Sequence, residues 1–191
     1  RDWRTTWTDH PHEPGGRDPW RMTAPGTVQF VPKTRHVLSR ASFGDQLLHI
    51  EFRTPFAPRS TSKFPGNSGV YLKGLYEVQI LDSYGVEATW QDCGAIYKKH
   101  EPRVNVSAPP GQWQTFDILF RDARYDEAGM KTDPAVMTVL HNGVMIHEEC
   151  EVDGPTGGHP HREGPEKMGL YLQNHGWPVE YRNIWVVRLG S

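Results

Sequence analysis

No stretch of about a dozen residues in this chain combines a 3.6-residue apolar period with freedom from glycine and proline. An amphipathic helix needs such a stretch to bury one face, so helix is expected to be scarce. Apolar residues recur instead at every second position in short runs, at residues 47–53, 69–73, 75–81, 115–120, 136–140, 144–147, 170–173 and 182–189. A period of two puts alternate side chains on opposite faces of an extended chain, the pattern of a β-strand. The 19 glycines and 16 prolines punctuate these runs. His141-Asn142-Gly143 joins two of them with the Asn-Gly pair favoured where both central residues of a hairpin turn take positive φ. Many short strands without crossover helices predict an all-β fold, an antiparallel two-sheet jelly-roll sandwich whose inner faces pack on each other. Connections at 9–26, 55–67, 86–95 and 152–166 are too long for hairpin turns, and loops of that length commonly carry function.

The 191 residues suit a single domain, with residues 1–44 as an extension and first strands. The net charge is −2, and Lys and Arg are dispersed instead of gathered into a stripe. Neither nucleic acid nor an anionic membrane surface is therefore an expected partner. No apolar run approaches the roughly 18 residues of a membrane helix, while seven each of Trp, Tyr and Phe supply many flat rings. Cys93 and Cys150 leave two alternatives: free thiols, or a disulfide worth about 4 kcal/mol in the chain-entropy model.

Strand parity sorts the polar residues by face. Leu48, Ile50 and Phe52 share one face, leaving Glu51 and Arg53 on the other. Tyr76, Val78 and Ile80 go inward, which turns Glu77 and Gln79 outward; Asp82 has inward parity unless a bulge intervenes. Leu170 and Leu172 go inward, leaving Tyr171, Gln173 and His175 opposite. Any one of these polar residues is, by default, a solvated side chain on an open sheet face. Together with Arg182 and Asn183 they form the set needed where sugar hydroxyls find hydrogen-bond partners and a scissile bond finds an acid and a base.

The segments EFR at 51–53, NSGVYLKGLYEVQILDSYG at 67–85, GAIY at 94–97, QWQTFDI at 112–118, HNGV at 141–144, LYLQNHG at 170–176 and VEYRNIWV at 179–186 resemble the 3-keto-disaccharide hydrolase domain. That family has the concanavalin A-like jelly roll, and the likeness covers the chain from about residue 45 onward. The resemblance implies a secreted or periplasmic protein that cleaves glycosides oxidised to a 3-ketone. A C3 ketone acidifies the C2 proton, so the glycosidic bond can leave by elimination before water adds, given a base, an acid and donors at the ketone. The catalytic candidates are Glu77, His175, Gln79 and Asp82. Substrate-binding candidates are Glu51, Arg53, Asn67, Tyr71, Lys73, Tyr97, Trp113, Gln173 and Arg182, with the ketone donor sought among Gln79, Gln173, Lys73 and Arg182.

Two rival readings share the fold. A retaining β-glucanase would carry E-x-D-x-x-E on one strand; Glu77, Gln79 and Asp82 give E-x-Q-x-x-D, which lacks the middle charge and shortens the last carboxylate. A non-catalytic carbohydrate-binding module would use Trp90, Tyr97, Trp113, Trp177 and Tyr71 as stacking platforms. No cofactor is expected. His10-Pro11-His12 and His159-Pro160-His161 match no catalytic ligand spacing, and Asp92, Asp122, Asp126 and Asp133 read as solvated loop acids before a structural calcium site. Trp3, Trp7 and Trp20 are expected to anchor the N-terminal segment by packing.

Overall fold

A computed structural model of the chain describes residues 7–9, 18–58, 60–158 and 162–190. Among them the elements are strands: β1 (Trp7–Asp9), β2 (Trp20–Ala24), β3 (Thr27–Phe30), β4 (Val37–Phe43), β5 (Gln46–Arg53), β6 (Ser68–Leu72), β7 (Tyr76–Ile80), β8 (Gln114–Arg121), β9 (Arg124–Tyr125), β10 (Lys131–Asp133), β11 (Ala135–His141), β12 (Val144–Val152), β13 (Met168–Asn174) and β14 (Glu180–Arg188). They form a five-stranded sheet in the order β1-β4-β13-β6-β7, a seven-stranded sheet in the order β12-β11-β8-β5-β14-β3-β2, and the small pair β10-β9. Every pairing is antiparallel. This is the two-sheet jelly-roll sandwich that the period-2 runs predict. No helix of the described residues is long and apolar enough to cross a membrane.

The alternation of burial along β5, β8 and β11 follows the sequence parity residue by residue. Leu48, Ile50 and Phe52 of β5, with Phe116, Ile118 and Phe120 of β8, meet Val70, Leu72, Val78, Ile80 and Leu172 of the other sheet in one core. Trp20 packs against that core, as expected for it; Trp3 and both His-Pro-His tripeptides lie outside the described residues, and Trp7 is described by its backbone alone. The β11–β12 hairpin turns at Asn142 (φ 51°) and Gly143 (φ 78°), as the Asn-Gly pair requires. A second turn of this kind joins β6 to β7 through Lys73 (φ 55°) and Gly74 (φ 62°). A left-handed conformation costs a lysine about 1–2 kcal/mol, and the fold offsets it by burying the Lys73 ammonium against Asp122, at 2.8 and 2.9 Å.

Cys93 lies buried in the core and Cys150 is partly buried, and they are not bonded to each other. The thiol alternative is therefore the one the chain adopts. Burial pushes the Cys93 thiol up to about 12, which keeps it protonated and unreactive.

β6 and β7 depart from simple alternation, being buried on both faces. The outer edge of β7 is occupied by residues 94–97: Gln79 N–H donates to Ala95 O, Gly94 N–H to Gln79 O and Tyr97 N–H to Glu77 O, at 2.9 to 3.1 Å. Thr156 fills the start of the same edge, its hydroxyl accepting Glu77 N–H at 2.9 Å while its own N–H donates to Leu75 O at 3.0 Å.

Candidate active site

Register on the five-stranded sheet brings outward-facing residues from separate parts of the chain into two rows. Tyr71 pairs with Glu77 and with Tyr171, Tyr171 with Leu38, and Tyr97 flanks Glu77 at the edge. In the next row Gly69 pairs with Gln79 and with Gln173, Ala95 flanks Gln79, and His36 follows from the Leu172–Val37 pairing. The first row is bulky and aromatic around one carboxyl; the second has small residues at Ala95 and Gly69. Glu77 leans into the space this leaves: a Cβ on Gly69 would lie 2.2 Å from Glu77 Oε1. Gly69 is thus the cradle of the carboxyl, and any side chain there displaces it.

Only 2% of Glu77 is exposed, and burial raises its carboxyl to about 8, against a smaller opposing pull from a hydrogen bond with Tyr71. At neutral pH it carries a proton. The Tyr71 hydroxyl donates to Gly157 O at 3.1 Å and accepts Gln173 Nε2–H at 3.0 Å. Burial and the neighbouring Glu77 raise Tyr71 far above the ordinary phenol range, so it is a donor and not a base. Gln79 Nε2–H donates to Asn67 Oδ1 at 3.2 Å and to Ile80 O at 3.0 Å. Gly157 and Gly158 pass directly over this row; Cβ atoms there would meet Tyr97 Cε1 at 3.2 Å and the Tyr71 hydroxyl oxygen at 3.0 Å. A buried neutral acid, amide donors and tyrosine rings on one face are equipped to bind a sugar and protonate a leaving oxygen.

Of the residues singled out from sequence, Glu77, Gln79, Asn67, Tyr71, Tyr97 and Gln173 meet here. His175 directly follows β13 and is exposed; the register, continued one step, aligns it with Asn67. Four others do not meet them. Glu51, Arg53, Arg182 and Trp113 lie on the outer face of the seven-stranded sheet, across the sandwich from Glu77. There Arg182 Nε donates to Glu51 Oε2 and Arg53 Nε to Glu180 Oε2, each at 2.6 Å, and both guanidinium groups sit over the Trp113 ring, at 4.0 and 4.8 Å. Parity distinguishes inward from outward, but a sandwich has two outward faces, which is why this group was placed with Glu77.

Lys73 is also removed from the substrate set. Its ammonium is 1% exposed and is held by Asp122 and by Gly164 O at 2.7 Å. Asp82 lies beyond the end of β7 at Ile80, where its backbone N–H donates to Pro65 O, so Glu77, Gln79 and Asp82 do not project from one strand as the glucanase pattern requires. Trp177 packs on the core, whereas Trp90 is exposed with its ring 6.0 Å from Tyr97. Among the described residues no cluster of three or more His, Cys, Asp or Glu forms a metal site. Asp122 pairs with Lys73, Asp92 accepts from Thr89, and Asp126 caps its own turn.

Sequence reasoning missed His36; it set Tyr171 on the outward face beside Gln173 and Thr156–Gly158 within a long connection, without naming any of these as a substrate-binding candidate. His36 Nδ1 accepts Asn174 N–H at 3.0 Å, and its ring lies 5.1 Å from Tyr171. Tyr171 was legible by parity beside Gln173; His36 belongs to a loop-to-strand junction whose pairing no local pattern reveals.

The family and the solved structures that this chain resembles indicate a carbohydrate-active protein of the glycosyl hydrolase kind. The family described as the 3-keto-alpha-glucoside-1,2-lyase-like domain matches residues 2–187, and the chain belongs to it. Among solved structures, three candidate glycosyl hydrolases of Parabacteroides distasonis ATCC 8503 are similar to it. The first is 29% identical with a TM-score of 0.82, over 97% of this chain and 79% of the other. The second is 18% identical (TM-score 0.66, over 97% and 89%) and the third 21% identical (TM-score 0.64, over 97% and 94%), likenesses of fold. No match is found among curated proteins.

Proposed function

We propose that this protein cleaves glycosides whose sugar ring carries a ketone at C3, by elimination across C1 and C2 followed by addition of water. The observation that carries this reading is Glu77, a carboxyl kept protonated up to about pH 8 by burial and cradled over Gly69 beside Tyr71, Gln79 and Gln173. A base takes the C2 proton, which the ketone has acidified, and that electron pair becomes the C1–C2 double bond. The C1–O pair leaves on the glycosidic oxygen, which takes the Glu77 proton. Water then adds at C1 and a proton at C2, regenerating the 3-keto sugar. His175 is assigned as the base, being the exposed imidazole in line with Asn67. The Gln79 and Gln173 amides are assigned to the ketone and neighbouring hydroxyls. The family's description, a 3-keto-alpha-glucoside-1,2-lyase-like domain, supports the same substrate class.

The test is incubation with a 3-keto glucoside and with the unoxidised glucoside, following release of the aglycone and, in D2O, exchange at C2. Release and exchange are expected from the ketone alone. Glu77→Gln is expected to keep affinity and lose release, at least 100-fold for a missing general acid, while His175→Ala is expected to lose the exchange. Cleavage of the plain glucoside at the same rate would establish a direct glycosidase instead; binding without release from either would establish a carbohydrate-binding module.

A further inference from the structure

The geometry points to Tyr71 as a positioning residue that couples the protonation of Glu77 to the Thr156–Gly158 segment lying over the site. This rests on the reading of Glu77 as the acid, and it concerns how that acid is held and reset. The Tyr71 oxygen has one proton to give and two lone pairs to receive with. It sits among three groups: the Gly157 carbonyl at 3.1 Å, the Gln173 amide at 3.0 Å, and the Glu77 carboxyl, which shares the space beside Gly69 with the Tyr71 ring.

With Glu77 neutral, every group is served. Tyr71 donates to Gly157 O and accepts from Gln173, and its remaining lone pair is the acceptor open to a neutral Glu77 hydroxyl. Once Glu77 has given up its proton the count no longer closes, because the buried carboxylate needs a donor and Tyr71 is the one beside it. Turning the phenol proton to Glu77 withdraws it from Gly157. The segment then keeps Thr156 on Leu75 O and Glu77 N–H, but loses its tie at Gly157. Chemistry at the acid would thereby loosen the segment over the site, and reprotonation would fasten it again.

Three other titratable groups face the pair. Tyr97 comes from the edge segment and Tyr171 from β13, with His36 beyond it; Thr156, Gly157 and Gly158 bear no charge. Burial and the nearby Glu77 raise the Tyr171 phenol above its ordinary value, so it stays protonated where Glu77 titrates.

The experiment needs no substrate, so its failure is separate from failure of the proposed reaction. In protein labelled with 13C and 15N, the Glu77 carboxyl and the Gly157 and Gly158 amides are followed as pH rises through about 8. The amides are expected to shift with the same midpoint as the carboxyl. Tyr71→Phe, which keeps the ring, is expected to move the carboxyl midpoint upward, since a donor to the carboxylate is gone, and to leave the two amides unresponsive. Glu77→Gln, which has nothing to ionise, is expected to leave them unresponsive in an otherwise intact protein. Amides that do not follow the carboxyl in the wild type, or that follow it equally in Tyr71→Phe, would overturn the proposal.

Discussion

At the scale of single residues, the feature with the widest reach is a carboxyl placed where its ionised form is disfavoured. The Glu77 side chain lies against Gly69 and beside Tyr71, and the effect of burial outweighs the pull of the Tyr71 hydrogen bond. Its folded-state value, about 8, exceeds the ordinary 4.5. The native state therefore binds the proton more tightly than the unfolded chain does. The stability this brings is fully present below 4.5 and is lost as pH rises toward 8. Glu77→Gln cannot ionise, so it is expected to be more stable than the wild type in urea titrations at pH 8 and above, with the advantage vanishing near pH 4.5. That Glu77 faces away from the core was legible from its alternation with Val78. That it is nonetheless buried was not, because the cover comes from Tyr97 and Gly157, distant in sequence.

Elements tell a similar story at the next scale. The runs in β5, β8, β11 and β14 and the Asn142-Gly143 hairpin were legible because alternation and turn chemistry are local. β2, β3 and β4, in the stretch assigned only to an extension and first strands, were less so: β2 is exposed along most of its length and carries no clear alternation. The β6–β7 hairpin was hidden in another way, since Lys73-Gly74 is not a conventional turn pair and is secured from outside, by Asp122 after β8 and by Gly164. Burial raises the Asp122 carboxyl and outweighs the neighbouring ammonium, the mark of an ion pair that is costly to leave half-made. Lys73→Met is accordingly expected to lower stability by about 3–5 kcal/mol in chemical denaturation. Its effect on a folded enzyme should resemble loosening of the adjoining hairpin and not removal of a ketone donor.

For the whole molecule, the two sheets answer acid and alkali differently. His141 and His147 are buried against the seven-stranded sheet, and burial lowers each to about 4 from 6.5. His141 contacts Gln114 Oε1 at 2.9 Å through Nε2, and His147 contacts Gly94 O at 2.8 Å likewise. The unfolded chain takes up these protons first. Stability from this pair is full above 6.5 and lost as pH falls toward 4, opposite in sign to that of Glu77. Unfolding free energies measured across that range are expected to fall toward pH 4, and to fall less steeply in His147→Asn. Segments 94–97 and Thr156, which wall the site, also occupy the hydrogen-bonding groups along the margin of β7. An unoccupied margin of that kind invites another chain to add itself as the next strand. In this architecture, substitutions that unseat the wall endanger solubility as well as the candidate site, because self-association would begin at the edge beside Glu77.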